Sequence, residues 1–231
     1  MLTIIIPCYN SDLKLRKVIY NLRKKNINNH IYIIDDCSNS RARLIINSLN
    51  NTDKNISIFR NYKNLGQGGS IKLGISKSLK TNSKNICTID DDGQHTTEDI
   101  QNVINKFKLS KKSTEVVMGV RIFSLSTTPI FSIIGNYFSK YLFFLITKKN
   151  LIDTQTGLRC YSTNLSKKIL KIQNNGFDFH NLMNYFFIKE KIQIHQIKIK
   201  TVYFEKNKKT RFKGIKDSIR IIKSIIKKPA I

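Results

Sequence analysis

The chain has 231 residues and is 40% hydrophobic, which is enough to bury the core of one large domain. Its 41 Lys and Arg residues against 15 Asp and Glu residues give a net charge of +26, so we expect a phosphorylated ligand, an anionic membrane surface or nucleic acid as a partner. The four scattered cysteines lack the spacing of a metal site, and no stretch has the length and apolarity of a clean transmembrane helix.

Apolar runs and amphipathic stretches alternate over the first 120 residues. Strands are predicted at residues 2–6, 31–34, 56–60, 85–89 and 114–119. Helices are predicted between them, at residues 12–25, 41–49 and 67–79 and from Thr96 or Thr97 onward. This order predicts an α/β fold with a mostly parallel, Rossmann-like sheet flanked by helices.

The second half of the chain is less regular. An aromatic-rich helix is predicted at residues 129–147, a late strand at 198–204 and a basic amphipathic helix at 215–228. With no sign of a linker or repeat, we take residues 1–212 as one domain. Residues 213–231 form a C-terminal amphipathic helix that belongs to the same unit or contacts a membrane surface.

The run Asp90-Asp91-Asp92-Gly93-Gln94 follows a short strand and concentrates three carboxylates. Asp90 and Asp92 are two residues apart and point the same way if the strand geometry persists, and Gln94 adds an amide oxygen. Oxygen ligands of this kind suit Mg²⁺ or Mn²⁺, with phosphates of a substrate completing the shell. The alternative is a solvated acidic turn, since Asp-Gly is a common turn dipeptide.

Three polar clusters lie at the carboxyl ends of predicted strands: residues 7–10, 35–36 and 90–94. Ligands of open parallel sheets bind beyond these ends, so the clusters are expected to meet in one cleft. The glycine-rich segment 64–69 lacks the G-x-G-x-x-G spacing of a dinucleotide loop and does not follow the first strand. Its glycines are expected to let the backbone pass close to a ligand or a neighbouring strand.

Four motifs occur in an order that resembles the family 2 glycosyltransferases with the GT-A fold. They are Ile6-Pro7-Cys8-Tyr9-Asn10, Ile34-Asp35-Asp36-Cys37-Ser38, Asn64-Leu65-Gly66-Gln67-Gly68 and Asp90-Asp91-Asp92-Gly93-Gln94-His95. Further on, residues 117–121 and 153–159 are similar to the branch that glycosylates polyprenyl phosphates. The end of the chain, residues 201–218, is similar to members that work beside a small multi-helix membrane protein.

The resemblance implies a role for each matching residue. Those expected to bind the donor nucleotide are Pro7, Tyr9, Asn10, Asp35, Asp36, Gly68, Asp90 and Asp91. Asp90, Asp92 and Gln94 would hold the metal, and the residues with catalytic roles would be Asp92, Arg121 and Arg159. The candidates for the acceptor and its phosphate are Arg121, Asp153, Arg159, Asp178, His180 and Arg211. For Arg159 the alternative is an ordinary exposed charge.

The sequence departs from the family pattern at four positions. Ser11 stands where an acid often follows the Asn, and Cys37 replaces a usual Gly. His180 replaces an acid, and Arg211 replaces a usual His. The last two departures affect the acceptor side, and His180 is equally compatible with an ordinary partly buried histidine.

The expected reaction transfers one sugar, with inversion, from a UDP- or GDP-sugar to the phosphate of a polyprenyl (undecaprenyl or dolichyl) phosphate. That phosphate is already ionised at neutral pH and needs no general base, whereas a sugar hydroxyl acceptor would need one. Only Asp178 and His180 are placed by motif for that role. A hydroxyl acceptor is therefore the alternative. A catalytically dead binding subunit and a nucleic-acid-binding protein are further alternatives, the latter without any recognisable motif.

We expect the protein in the cytoplasm, peripheral on the inner face of the membrane, since Met1 leads straight into an apolar run without a basic region. We expect the aromatic helix and the basic helix near the C-terminus to meet anionic lipid, the aromatic helix through Tyr137, Phe138, Tyr141, Phe143 and Phe144. The alternative is that both helices pack on the sheet.

Overall fold

The structure, a computed structural model, describes residues 1–50, 52–110, 115–122, 130–176 and 178–200. The strands are β1 (Leu2–Cys8), β2 (His30–Asp35), β3 (Ile56–Arg60), β4 (Asn85–Thr88), β5 (Glu115–Arg121), β6 (Arg159–Ser162) and β7 (Gln193–Ile199). The helices are α1 (Leu13–Lys24), α2 (Ser40–Asn50), α3 (Gly66–Ser78), α4 (Thr97–Leu109), α5 (Ile130–Thr147), α6 (Thr163–Ile169) and α7 (Phe179–Lys189).

The strands form one seven-stranded sheet in the order β3-β2-β1-β4-β6-β5-β7. Its pairs are parallel except those of β6, which runs antiparallel to both β4 and β5. The prediction of a mostly parallel α/β sheet is therefore confirmed. Because β6 runs the other way, its amino end lies at the same sheet edge as the carboxyl ends of β4 and β5.

Two apolar cores cover the two faces of the sheet. Alternate residues of β1 belong to different cores. Ile4 and Ile6 join the core under α1, α2 and α4, whereas Ile5 joins the core under α3, α6 and α7. All seven residues of β1 are buried, the pattern of a strand covered on both faces. Helices on each face explain why the first strands read as continuous apolar runs.

Local capping fixes where the first helices begin. The Asp12 carboxylate accepts a 2.8 Å hydrogen bond from the backbone N–H of Lys14 and starts α1. Thr96 caps α4 by accepting from the backbone N–H of Asp99 at 3.1 Å, and the acids Glu98 and Asp99 lie in its first turn. The predicted start of α4 is confirmed.

Helix α5 presents two different faces. Phe143 is 1% exposed and packs inward, while the residues of an outer stripe are 41–62% exposed. The members of that stripe, called the α5 stripe below, are Ile134, Tyr137, Phe138, Tyr141, Phe144 and Leu145. No helix in the described part of the chain is long and apolar enough to cross a membrane.

The second half of the chain differs from prediction in three elements and one boundary. Strand β6 and helices α6 and α7 were not predicted, and the late strand runs at Gln193–Ile199, earlier than the predicted 198–204. With four residues in β6 and seven in α6, neither element is long enough to show a period. Residues 201–231, which include Arg211 and the predicted C-terminal helix, lie outside the described residues.

Candidate active site

The loops after β1 and β2 are tied together at the carboxyl edge of the sheet. The backbone N–H of Asn10 donates to Ser38 Oγ at 2.9 Å, and that of Asn39 donates to Asn10 Oδ1 at 2.9 Å. Cys37 adopts a positive φ of 62°, a conformation that favours glycine, so the departure from the usual Gly keeps the turn at some cost in strain. Tyr9 beside this junction is 40% exposed and available to a ligand.

Asp35 is held at the end of β2 by two neighbours. Its Oδ1 accepts a 2.9 Å hydrogen bond from the backbone N–H of Ser38, and its Oδ2 pairs with the guanidinium of Arg60 at the end of β3. Arg60 also donates to the Ser38 carbonyl at 3.0 Å. Sequence reasoning missed Arg60, although its place at the end of a strand next to β2 was a usable signal.

Asp36 faces the protein and fixes the start of α3. Its carboxylate accepts from Asn61 Nδ2 at 2.7 Å and from the backbone N–H groups of Leu65 and Gly66, both at 2.8 Å. It is 3% exposed. The structure thus gives Asp36 a positioning task, and its contact with the nucleotide stays a prediction.

Gly68 lies inside the same packing. Its N–H donates to the Asn175 carbonyl at 2.8 Å, and a Cβ added to it would lie 2.6 Å from Cγ of Phe179. A glycine is needed here because α3 and the start of α7 approach closely, so the close neighbour is a helix and not the strand or ligand that the sequence suggested. Contact between Gly68 and the donor nucleotide likewise stays a prediction.

Asp90 is held in place from two sides after β4. Gln67 Nε2, from the first turn of α3, donates to Asp90 Oδ1 at 2.9 Å, and His95 Nε2 lies 3.1 Å from Asp90 Oδ2. The neighbouring Asp91 accepts a hydrogen bond from Ser11 Oγ. A serine at position 11 therefore gives Asp91 a donor where an acid would give it a second negative charge.

The pKa values of Asp90 and Asp92, the two outer aspartates of the acidic run, are shifted in opposite directions. Burial opposes ionisation of Asp90, but the hydrogen bond and charge of His95, with the charge of Arg121, outweigh burial and lower its pKa. Burial and the charge of Asp90 together raise the pKa of Asp92. A solvated acidic turn would show neither effect, because water would screen both carboxylates.

The donor set at this position fits a divalent cation that is completed by a ligand. No group of three His, Cys, Asp or Glu side chains forms a closed metal site in the described residues. Two carboxylates and the amide of Gln94 would give an incomplete oxygen shell, which is how Mg²⁺ binds when phosphates supply the other ligands, and the binding of a metal by these residues stays a prediction. A cation there would also relieve the repulsion that raises the pKa of Asp92.

Arg121 and Asp153 form a buried ion pair beside the acidic run. Nε and Nη2 of Arg121 donate to Oδ2 and Oδ1 of Asp153 at 2.6 and 3.2 Å. Burial disfavours the charge on Asp153, but Arg121 outweighs it and lowers the pKa of that carboxyl. The Arg121 side chain is 16% exposed, so part of it faces the cleft.

Arg159 is entirely buried, so the alternative of an exposed charge is excluded. Its guanidinium donates to the Thr156 carbonyl at 2.9 Å and to Asn184 Oδ1 at 2.8 Å. Burial lowers its pKa to about 10, so it keeps its charge at neutral pH. Its positive charge acts on the site through space, and direct contact with a phosphate stays a prediction.

Asp178 and His180 lie at the start of α7 with 1% and 3% of their surface exposed. One oxygen of Asp178 accepts from Asn174 Nδ2, and both ring nitrogens of His180 lack a hydrogen-bond partner in the described residues. Burial, with the charge of Arg159, lowers the pKa of His180 to about 3. His180 is therefore a neutral, buried ring at physiological pH.

The structure brings most of the candidates together and adds residues that the motifs did not single out for a role. The groups that influence one another's pKa are Asp90, Asp92, Arg121, Asp153, Arg159 and His180. The added residues are Gln67, His95, Arg60 and Gly157, the last of which touches Asp90. Gln67 and His95 lay within quoted motifs, but no local pattern indicates that both point at Asp90.

The fold matches those of nucleotide-sugar enzymes. Glucosyl-3-phosphoglycerate synthase from Mycobacterium tuberculosis, solved with Mn²⁺, UDP and phosphoglyceric acid, superimposes with a TM-score of 0.71 at 11% identity over 98% of this chain and 78% of that one. The same enzyme with Mg²⁺ and UDP gives 0.68 at 11% identity, covering 100% and 80%. At this identity the likeness shows the fold alone, which is the GT-A type seen in glycosyltransferases.

Residues 3–172 match the family model described as Glycosyl transferase family 2, and the chain belongs to that family. It is similar to a UDP-N-acetylglucosamine–dolichyl-phosphate N-acetylglucosaminyltransferase from Methanococcus voltae, 29% identical over 222 residues that cover 89% of this chain and 87% of that protein. An uncharacterized protein of Methanocaldococcus jannaschii is 25% identical over 206 residues, covering 87% and 82%. The protein is thus a glycosyltransferase, as its motifs predicted.

Proposed function

We propose that this glycosyltransferase moves a sugar from a UDP- or GDP-sugar to the phosphate of a polyprenyl phosphate at the cytoplasmic face of a membrane. The reaction would use Mg²⁺ or Mn²⁺ and invert the anomeric carbon. The M. voltae relative, whose name includes dolichyl phosphate as its acceptor, supports this acceptor class.

The observation that carries the choice of acceptor is the burial of the two candidate bases. Asp178 is 1% exposed and His180 is 3% exposed, so neither presents its side chain to a sugar hydroxyl at the surface of the site, which favours an acceptor that needs no base. A phosphate monoester has its second pKa near ~6 and is largely dianionic at neutral pH. It therefore attacks without a base and needs only cations to position it.

The donor side would be organised around the acidic run. Asp90, Asp92 and Gln94 would hold the divalent cation, which would offset the charge on the leaving diphosphate. An oxygen of the acceptor phosphate would attack the anomeric carbon in line, and the bond from that carbon to the diphosphate oxygen would break with its electron pair. Arg121 at the rim and the buried charge of Arg159 would favour the approach of the anionic acceptor.

The α5 stripe supports a membrane location for this reaction. Six large apolar side chains on one helix face stay exposed, which exceeds the scattered exposure of a typical soluble surface. Packing on the sheet accounts only for the opposite face, where Phe143 is buried. The net charge of +26 would add attraction to anionic headgroups. Whether a small multi-helix membrane protein assists stays a prediction.

The test is a transfer assay with purified protein, undecaprenyl or dolichyl phosphate and a panel of labelled UDP- and GDP-sugars. We expect a lipid-linked product with one donor, lost with EDTA and restored by Mn²⁺. Asp92→Asn should reduce turnover at least ~100-fold, as expected for loss of transition-state charge stabilisation. Asp53→Asn, at a surface carboxylate paired with Arg23, is the matched control and should stay active.

Two outcomes would overturn the proposal. Product formed only on a sugar hydroxyl would show that a base is present after all, and would assign the alternative acceptor class. Full activity of Asp92→Asn with EDTA present would show that the reaction does not require a metal.

A further inference from the structure

Asp90 rests directly on the backbone of Gly157. A Cβ added to Gly157 would lie 2.5 Å from both Cγ and Oδ2 of Asp90, and closer still to Oδ1. No real Cβ approaches other atoms so closely, and Gly157 is buried without a positive φ. Its lack of a side chain is therefore required by the position of the Asp90 carboxylate, since the backbone conformation itself would accept alanine.

Hydrogen bonds hold the segment around Gly157 in place. The Gly157 carbonyl accepts a 2.7 Å hydrogen bond from Thr88 Oγ1, and Thr88 lies two residues before Asp90. The next residue, Leu158, is 0% exposed, and its carbonyl accepts from the backbone N–H of Gly119 at 3.0 Å. Since the loop is pinned to β4 and β5, any atom added at Gly157 must displace Asp90.

Asp90 in turn cannot move without losing its own partners. Gln67 and His95 each donate to a different oxygen of its carboxylate. A rotation that clears a Cβ at position 157 would break at least one of these bonds. The three contacts, from α3, from the loop before β6 and from the acidic loop, therefore define one orientation of the carboxylate.

We propose that Gly157 is a positioning residue that sets the orientation of the Asp90 carboxylate for the metal and the donor diphosphate. Through it, the loop between α5 and β6, which also carries Asp153, is coupled to the donor side of the cleft. The consequence for binding rests on the proposed function, whereas the steric coupling between Gly157 and Asp90 does not.

The steric coupling is tested with a double-mutant cycle of Gly157→Ala and Asp90→Ala, followed by thermal unfolding. Overpacking at this contact should lower the Tm by about 5 °C in the wild-type background and by about 1 °C once Asp90 is removed. Equal shifts in both backgrounds would overturn the proposal. Gly74→Ala, which would meet Ile5 instead, is the matched control, and Asp90→Ala should not reduce its cost.

The functional part is tested by titrating Mn²⁺ and UDP into the same proteins by calorimetry. Gly157→Ala should weaken Mn²⁺-dependent UDP binding about tenfold, while Gly74→Ala should bind as the wild type does. Wild-type affinity in Gly157→Ala would overturn the positioning role. If the wild type does not bind UDP with Mn²⁺, the titration is repeated with GDP. Binding of neither nucleotide would mean that the proposed function fails, and the unfolding cycle still decides the contact.

Should Gly157→Ala fail to fold in both backgrounds, Thr88→Val provides the second variant. It removes the hydroxyl that holds the Gly157 carbonyl but keeps the size of the side chain. We expect about a threefold loss of Mn²⁺-dependent UDP affinity. Unchanged affinity would count against the coupling of this loop to Asp90.

Discussion

The candidate site contains an arginine, Arg121, whose charge is already balanced within the protein. Arg121 forms a two-pronged pair with Asp153, a carboxylate with no exposed surface. The planar guanidinium matches the carboxylate in a way that an ammonium group cannot. Arg121 therefore keeps Asp153 ionised, and only the outer edge of the Arg121 guanidinium is left to contact a ligand.

Replacing Arg121 should reveal this dependence as a loss of stability. Arg121→Ala leaves a buried carboxylate without its partner and should cost about 3–5 kcal/mol in the free energy of unfolding, with Arg121→Lys costing less. Urea denaturation measures both. Lys168→Ala breaks the pair with Glu190, in which the Lys168 side chain is 57% exposed, and should cost under ~1 kcal/mol. Similar costs at the two pairs would contradict the prediction.

His180 makes the folded protein sensitive to acid. Its pKa is lowered from 6.5 to about 3 by burial and by Arg159, so the folded state resists a proton that the unfolded state accepts. Stability conferred by the neutral ring is therefore complete above pH 6.5 and is lost as the pH falls toward 3. From pH 7 to pH 5 the loss should be about 2 kcal/mol.

His180→Asn removes the titrating ring and is the direct comparison. Urea unfolding at pH 7, 6 and 5 should show a smaller loss of stability for this variant than for the wild type. The difference between the two slopes belongs to His180, whatever other groups contribute to both proteins. If the free energy of unfolding falls equally with pH in the two proteins, the ring has the same pKa in the folded and unfolded states.

At the scale of elements, α5 is the helix whose two faces have different tasks. Ser139 Oγ lies 3.2 Å from Thr154 Oγ1, so the inner face contacts the loop that leads to Gly157. The α5 stripe on the outer face stays in solvent. One helix thus joins the surface that would meet lipid to the loop that borders the cleft.

Removing one aromatic ring from the α5 stripe should weaken membrane binding. Tyr141→Ser deletes a 60% exposed ring and should reduce cosedimentation with anionic vesicles up to about tenfold, in line with the loss of one buried aromatic side chain. Tyr20→Ser, on α1, deletes an equally exposed ring at 64% and should have no effect. Equal effects of the two substitutions, or binding insensitive to salt, would argue against this surface.

At the scale of the whole molecule, the sequence predicted those strands and helices that have a clear local pattern. The strands β1 to β5 and the helices between them were predicted because each is a clear apolar run or a one-sided helix. Helix α7 was missed because nearly all of its first residues are buried, polar Asn181 and Asn184 included, so that it has no amphipathic stripe. Strand β6 was too short to stand out.

The candidate site was likewise predictable only where its residues follow from a local pattern. Strand-end residues such as Asp35 and Asp90 were predictable, because parallel strands deliver their ends to one edge. The contacts that orient Asp90 join residues 67, 90 and 157, and no local pattern encodes contacts at such separations. The burial of Arg159 and His180 was also beyond the sequence, since it depends on how α7 packs against β6.

Strand β6 lies in the middle of the sheet. Within the described residues it is the strand that joins β3-β2-β1-β4 to the pair β5-β7 in the hydrogen-bonded order of the sheet. Cys87 and Cys160 face each other across the β4–β6 junction, and both are 0% exposed. Burial, with Cys87 beside it, raises the pKa of the Cys160 thiol well above its ordinary value, so both thiols should be unreactive while the junction is closed.

In a Cys8→Ala variant, a thiol reagent should label the partly exposed Cys37 quickly and the two junction thiols only when β4 and β6 separate. Mass spectrometry of the labelled peptides would give both rates, and fast labelling at Cys160 would contradict a closed junction. Two cysteines with no place in the chemistry thus become a built-in probe of how often strands β4 and β6 separate.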